Sequence, residues 1–235
     1  MVMTPNSSHL RRIAIIIFAV ILAAACCLTA QPNPEAPPQA QPTVTGDPIP
    51  GLAGYGVELG LDPANGRISA LLVYRGQKQW QELKVCTPEA VPREGPVGTM
   101  DTADYNFDGH YDLALETAFK GGNASYCIWL FEPKTGRFIL SKQLSQLTNV
   151  RPDPKTHTVI STSKGECGPC YHEESYRWTK GQLIPVRETS VAPADLGLQL
   201  PGGCGWLRTV REEKHGKMVF VSRDQVNSLG QVCLP

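Results

Sequence analysis

The sequence predicts a mainly β protein: a single domain of short antiparallel strands, propeller-like or built as a sandwich or barrel, with a calcium loop between strands. Three observations point there. Apolar residues recur at every second position in short runs. Turn signals such as Asn65-Gly66, Lys180-Gly181 and His215-Gly216 separate those runs. No stretch keeps a helical period over roughly three turns.

The elements follow in chain order. GYGVELGLD leads into the turn Pro63-Ala64-Asn65-Gly66, and RISALLVYRG and WQELKVC continue the sheet. Leu113, Leu115, Thr117 and Phe119 alternate as a half-buried strand does. YCIWLFEPKTGRFIL turns at Pro133-Lys134-Thr135-Gly136. HTVISTSKG, SYRWTKGQLIPVRE and WLRTVREEKHGKMVFVS supply the later strands. Short helices are expected only around Leu140 to Leu147 and Ser222 to Ser228.

Ahead of the domain, Arg11 and Arg12 precede an apolar run from Ile13 to Ala25. As a helix it would cover roughly 20 Å, too short for a hydrocarbon core of about 30 Å. It therefore reads as a signal peptide, residues 1–25. The run ends LAAACC and resembles a bacterial lipobox, which makes Cys26 the expected lipidation site. Cys27, where an inner-membrane retention aspartate would stand, points to the outer membrane, facing the periplasm. Residues 26–51 are expected to be that cysteine and a Pro-rich tether, because QPNPEAPPQAQPTVTGDPIPG has too little apolar content to repay its ordering. The β domain is drawn at 52–235.

Losing Arg11 and Arg12 with the signal moves the formal charge from 0 to −2. With no basic stripe, the chain gives no reason to expect a nucleic-acid partner. Cys86, Cys127, Cys167, Cys170, Cys204 and Cys233 remain in the domain, an even set that favours disulfides in an exported chain. Sequence cannot choose among the pairings; the expected set is Cys86–Cys127, Cys167–Cys170 and Cys204–Cys233.

DYNFDGHYD carries the clearest chemistry. Asp104, Asn106, Asp108, Gly109, His110 and Asp112 match the first nine places of an EF-hand loop. Calcium takes oxygen ligands, and this winding turns alternate side chains inward. His110 would give its carbonyl oxygen, and Asp112 would bind directly or through water. Leu115 stands where the closing glutamate belongs, and strands flank the loop, so it reads as a structural calcium clamp between strands; Asp101 or Glu116 could complete the shell. The bland alternative is a polar Asp-Gly turn without an ion.

CGPC, Cys167 to Cys170, matches the thioredoxin tetrapeptide, whose chemistry needs a helix N-terminus to activate the first cysteine. The residues after it do not form an amphipathic pattern, so a structural disulfide is expected. A thiol–disulfide redox role is the alternative. A zinc set of Cys167, Cys170 and His172 with Cys204 or His215 is disfavoured by an oxidising compartment. No Gly-x-Ser-x-Gly and no His-Glu-x-x-His is present, and no enzyme activity is expected.

DYNFDGHYDLALET, GGNASYCIWLFEPKTGRF and ESYRWTKGQLIPV together resemble three blocks of the periplasmic β-propeller-like immunity lipoproteins of bacteria-killing type IV secretion systems, whose fold resembles lysozyme inhibitors. The likeness covers roughly residues 99–190. It implies a calcium-stabilised domain that sterically inhibits a peptidoglycan hydrolase or lysozyme-like effector, anchored to the outer membrane through an N-terminal lipid. It carries the calcium ligands onto Asp104, Asn106, Asp108, His110 and Asp112. For the inhibitory loop it offers Lys120 to Tyr126, with Gly121, Gly122, Asn123 and Tyr126 as candidates. CGPC departs from that pattern. A calcium-stabilised envelope or adhesion module with no inhibitory role is a further alternative.

Overall fold

The computed structural model describes residues 45–87, 98–194 and 205–233. The signal peptide, Cys26, most of the tether and Cys204 lie outside them. The described residues belong to one compact unit, Pro42–Pro235.

Among the described residues fourteen strands and one short helix follow one another as three antiparallel meanders. The first sheet holds β1 (Asp47–Pro48), β2 (Tyr55–Leu61), β3 (Ile68–Arg75) and β4 (Lys78–Lys84). The middle sheet holds β5 (Met100–Ala103), β6 (Asp112–Lys120), β7 (Asn123–Glu132) and β8 (Arg137–Leu140). After α1 (Lys142–Ser145), the third sheet runs through β9 (Arg151–Asp153), β10 (Thr158–Lys164), β11 (Tyr171–Thr179), β12 (Gln182–Pro193), β13 (Trp206–Lys214) and β14 (Lys217–Val226). The expected fold class is the observed one, as stacked open sheets and not a closed barrel.

The predicted turns sit where the sequence puts them. Lys180-Gly181 and His215-Gly216 have positive φ at both residues (51° and 77°, 54° and 79°), the twist a two-residue hairpin needs. In the first sheet Asp62 caps the Ala64 N–H through Oδ1 at 2.8 Å, and Gly66 closes the turn onto the Asp62 carbonyl at 2.8 Å.

The middle sheet is covered on both faces. Leu113, Leu115, Cys127, Trp129, Phe131 and Phe138 pack against Val57, Leu71, Val73 and Leu83 of the first sheet. On the opposite face Ala114 and Ile128 pack with Tyr105, Leu144, Val150 and Val159. This placement puts the acidic loop at one end of a strand buried from both sides.

Three expectations are corrected. The tether does not run to residue 51: Asp47 and Pro48 pair with Val57 and Gly56, and Ile49 is buried. Its isoleucine and the following Leu52 supply apolar surface that the Pro-rich stretch lacks. Phe119 is half exposed, because the register shifts between Glu116 and Ala118 and the bulge breaks the alternation. Residues around Ser222 form no helix. They extend β14, where pairing with β13 and the Arg208–Asp224 ion pair at 3.1 Å outweigh weak local helix propensity. The helix near Leu140 is present as α1, with Ser141 as its N-cap.

Candidate functional site

The acidic loop enters β6 directly, so its last carboxylate stands inside the protein. Asp112 is fully buried. Its Oδ2 accepts the Tyr105 N–H at 2.8 Å and its Oδ1 accepts the Phe131 N–H at 2.8 Å. Burial pushes the Asp112 carboxyl up to about 7. The two N–H bonds oppose that rise, and the Asp108 and Asp104 carboxylates add to it.

The rest of the loop winds on itself. Asp104 accepts the Asp108 N–H at 3.2 Å and the Gly109 N–H at 2.9 Å. Asn106 Oδ1 accepts the Asp108 N–H at 3.1 Å, and Asp108 Oδ1 accepts the His110 N–H at 2.9 Å. Gly109 takes φ 87°, as the sharp turn requires, and Phe107 takes φ 60°. The His110 ring lies 5.5 Å from Phe131, so its side chain is engaged at the core's rim.

Among the described residues no three or more His, Cys, Asp or Glu side chains group as a metal shell. The loop carboxylates are turned onto N–H groups instead. Its donor set still fits a hard cation: Asp104, Asn106, Asp108 and Asp112 offer oxygen, with the His110 carbonyl besides. A cation would favour the ionised Asp112 against the burial that chiefly raises it and against the Asp108 and Asp104 carboxylates that add to the rise. Asp101 and Glu116 are engaged elsewhere. Asp101 Oδ1 accepts the Thr102 N–H at 2.7 Å, and Glu116 takes the Tyr126 hydroxyl while its buried Oε1 has no partner.

The expected inhibitory loop is a tight turn. Gly121 and Gly122, at φ 59° and 78°, join β6 to β7 with Lys120 opposite Asn123. Asn123 zips onto β10: its Oδ1 accepts the Lys164 N–H at 2.7 Å, and its Nδ2 donates to the Lys164 carbonyl at 3.0 Å. Tyr126 is half-buried on β7 and packs on the second core.

Asn149, which no motif singled out, locks that hairpin. Its Oδ1 accepts the Ala124 N–H at 2.8 Å, and its Nδ2 reaches the Gly122 carbonyl, Asn123 Oδ1 and the Thr162 carbonyl at 3.1, 3.2 and 2.8 Å. Its φ of 44° suits asparagine, a faint signal in the sequence. Trp178 was also missed; its Nε1 donates to the Tyr105 carbonyl at 2.8 Å and ties the third sheet to the acidic loop.

Two expected disulfides are present. Cys86–Cys127 links the end of the first sheet to the buried side of β7, with Cα atoms 5.6 Å apart. Cys167–Cys170, 5.4 Å between Cα atoms, closes the β10–β11 turn. β11 follows at once, so Cys167 has no helix N-terminus to activate it, and the pairing takes Cys167 and Cys170 from the zinc set. His172 lies instead between Glu174 and Glu188, at 3.7 and 3.9 Å. Cys233 is disulfide-bonded; Cys204, its expected partner, lies outside the described residues.

Fold and site together define a disulfide-braced protein of three stacked β sheets with an acidic loop between strands. The chain matches no family model and no curated protein. A solved structure described as that of a Xanthomonas type IV secretion system related protein shares its fold. Similarity there reaches a TM-score of 0.51 with 18% identity, over 72% of this chain and 90% of the other. No helix among the described residues is long and apolar enough to cross a membrane.

Proposed function

We propose that this chain is a lipid-anchored protein of the bacterial envelope that binds a peptidoglycan hydrolase of the lysozyme type and blocks its substrate cleft, giving immunity to a secreted toxin. The observation that carries the reading is the fold shared with the Xanthomonas type IV secretion system related protein across most of both chains. The export signal, the Cys26 lipobox and the disulfides fit a periplasmic setting. Within this reading calcium at Asp104, Asn106, Asp108, His110 and Asp112 stabilises the domain and takes no part in chemistry. Gly121 and Gly122 form the tip that reaches the partner; Asn123 and Tyr126 brace the hairpin behind it.

The test is a pull-down of lysozyme-like and transglycosylase-like hydrolases, followed by lysis of purified peptidoglycan with and without the protein. Capture of one hydrolase with loss of its lytic activity is the expected result; failure against the whole panel removes the reading. The engagement of Asn123 and Tyr126 inside the fold favours a second reading, a calcium-stabilised envelope module with no inhibitory role. That reading predicts failure against the panel with calcium stabilisation intact.

A further inference from the structure

Trp80 carries two guanidinium groups. Arg75 Cζ lies 5.6 Å and Arg137 Cζ 5.2 Å from its ring centroid, and Arg75 also lies 5.7 Å from the Tyr55 ring. The ring is fixed from behind: Trp80 Nε1 donates to the Gly136 carbonyl at 2.8 Å, and the Tyr55 hydroxyl donates to the same oxygen at 3.2 Å. Gln81 pins the neighbouring strand through two bonds to the Phe138 backbone, at 2.7 and 2.9 Å. Arg75 and Arg137 are therefore presented on a rigid aromatic base while their heads stay exposed.

Exposed cations gather at this end. Lys78 pairs directly across from Arg75, an unfavourable juxtaposition of like charges, and Lys134 sits in the turn before Arg137. All the ion pairs among the described residues lie on the third sheet, and none involves these four cations. Glu132, across from Arg137, is bonded to the Thr135 hydroxyl at 2.7 Å. Asp47 on the edge strand, Glu58, which takes the Tyr74 hydroxyl, and Glu82 are the further acids of this sheet. The chain also enters the fold here: the Thr45 N–H donates to the Gly76 carbonyl at 3.0 Å, next to Arg75.

We infer that this end of the domain is a docking surface for an anionic phospholipid bilayer, with Arg75, Lys78, Lys134 and Arg137 reading phosphate groups. Phosphoryl oxygens suit guanidinium groups, and a cluster of exposed cations beside the point where a membrane tether arrives meets the negative surface first. The inference deepens the lipid-anchored reading above. A basic patch adds a salt-sensitive attachment to the one the lipid gives.

The experiment uses the full chain and vesicles of phosphatidylcholine with or without phosphatidylglycerol, read by cosedimentation. Binding to neutral vesicles reports the anchor, and the increment on adding phosphatidylglycerol reports the patch, so the two fail separately. The expected increment weakens with salt and falls on the order of tenfold in Arg75→Gln/Arg137→Gln. Lys78→Gln/Lys134→Gln, which touches no ring, should lower it too with an unchanged thermal melt. An increment that is absent, or that survives in both double variants, overturns the proposal. So does loss of hydrolase capture in the arginine variant with lipid binding intact, which would make the surface a protein-facing one.

Discussion

Asp112 Oδ1 accepts the Phe131 N–H at 2.8 Å, so the last acid of the loop holds the middle of the sheet together. Its other oxygen holds Tyr105, whose carbonyl in turn takes the Trp178 indole. Asp112→Ala leaves two buried N–H groups without partners, each costing about 1–3 kcal/mol. Urea unfolding should show a loss of roughly 3 kcal/mol or more. Asp112→Asn keeps one acceptor and should fall between. A loss for the alanine variant below about 1 kcal/mol would mean that water or a shifted backbone replaces the carboxylate.

Calcium binding makes a separate prediction. If the loop takes the ion, saturating calcium should raise the melting temperature over that in chelator. At a hundredfold excess over Kd the gain is about 2.7 kcal/mol. Asp108→Ala should abolish the shift while leaving both buried bonds of Asp112 in place. Identical melts with calcium and chelator, and no metal by elemental analysis, would leave the loop as a hydrogen-bonded turn alone.

Much of the fold was legible because hairpins are local. Asn65-Gly66, Lys180-Gly181 and His215-Gly216 set their own turns, and the flanking alternation sets the strands. What failed depends on distant partners. The bulge that turns Phe119 outward arises in pairing with β7, and the strand through Ser222 exists because β13 lies beside it. Ile49 gained its place from the first sheet's core. At the site, the spacing of Asp104 to Asp112 gave the loop's winding, but not that Asp112 would bond a strand 19 residues away. Asn149 had no visible partner in sequence, since its contacts come from both neighbouring sheets.

Asn149 is accordingly the strongest single lever on the β6–β7 hairpin. Asn149→Ala removes four side-chain hydrogen bonds and places alanine at a φ of 44°, where it is strained. A loss of roughly 2–4 kcal/mol is expected. Amide hydrogen exchange should quicken at Ala124 and Thr162 before it does in the first sheet. Uniform acceleration across all three sheets would show that Asn149 supports global stability alone, without a local hold on the hairpin.

The two disulfides should differ in what they contribute. Cys86–Cys127 closes a sequence separation of 41 residues, and Cys167–Cys170 one of 3. Loop-closure entropy then gives roughly 4 kcal/mol for the first and about 2 kcal/mol for the second. Each bond joins a buried cysteine, Cys127 or Cys170, to an exposed one, Cys86 or Cys167, so exposure does not separate the two and the size of the closed loop does. Limited dithiothreitol with mass mapping should therefore open Cys167–Cys170 first and leave Cys86–Cys127 closed until the protein unfolds. Cys86→Ala/Cys127→Ala should lower the urea midpoint more than Cys167→Ala/Cys170→Ala. A native protein that oxidises a model dithiol with turnover, and a Cys167→Ala/Cys170→Ala variant as stable as the parent, would reverse the structural assignment and move CGPC to redox chemistry.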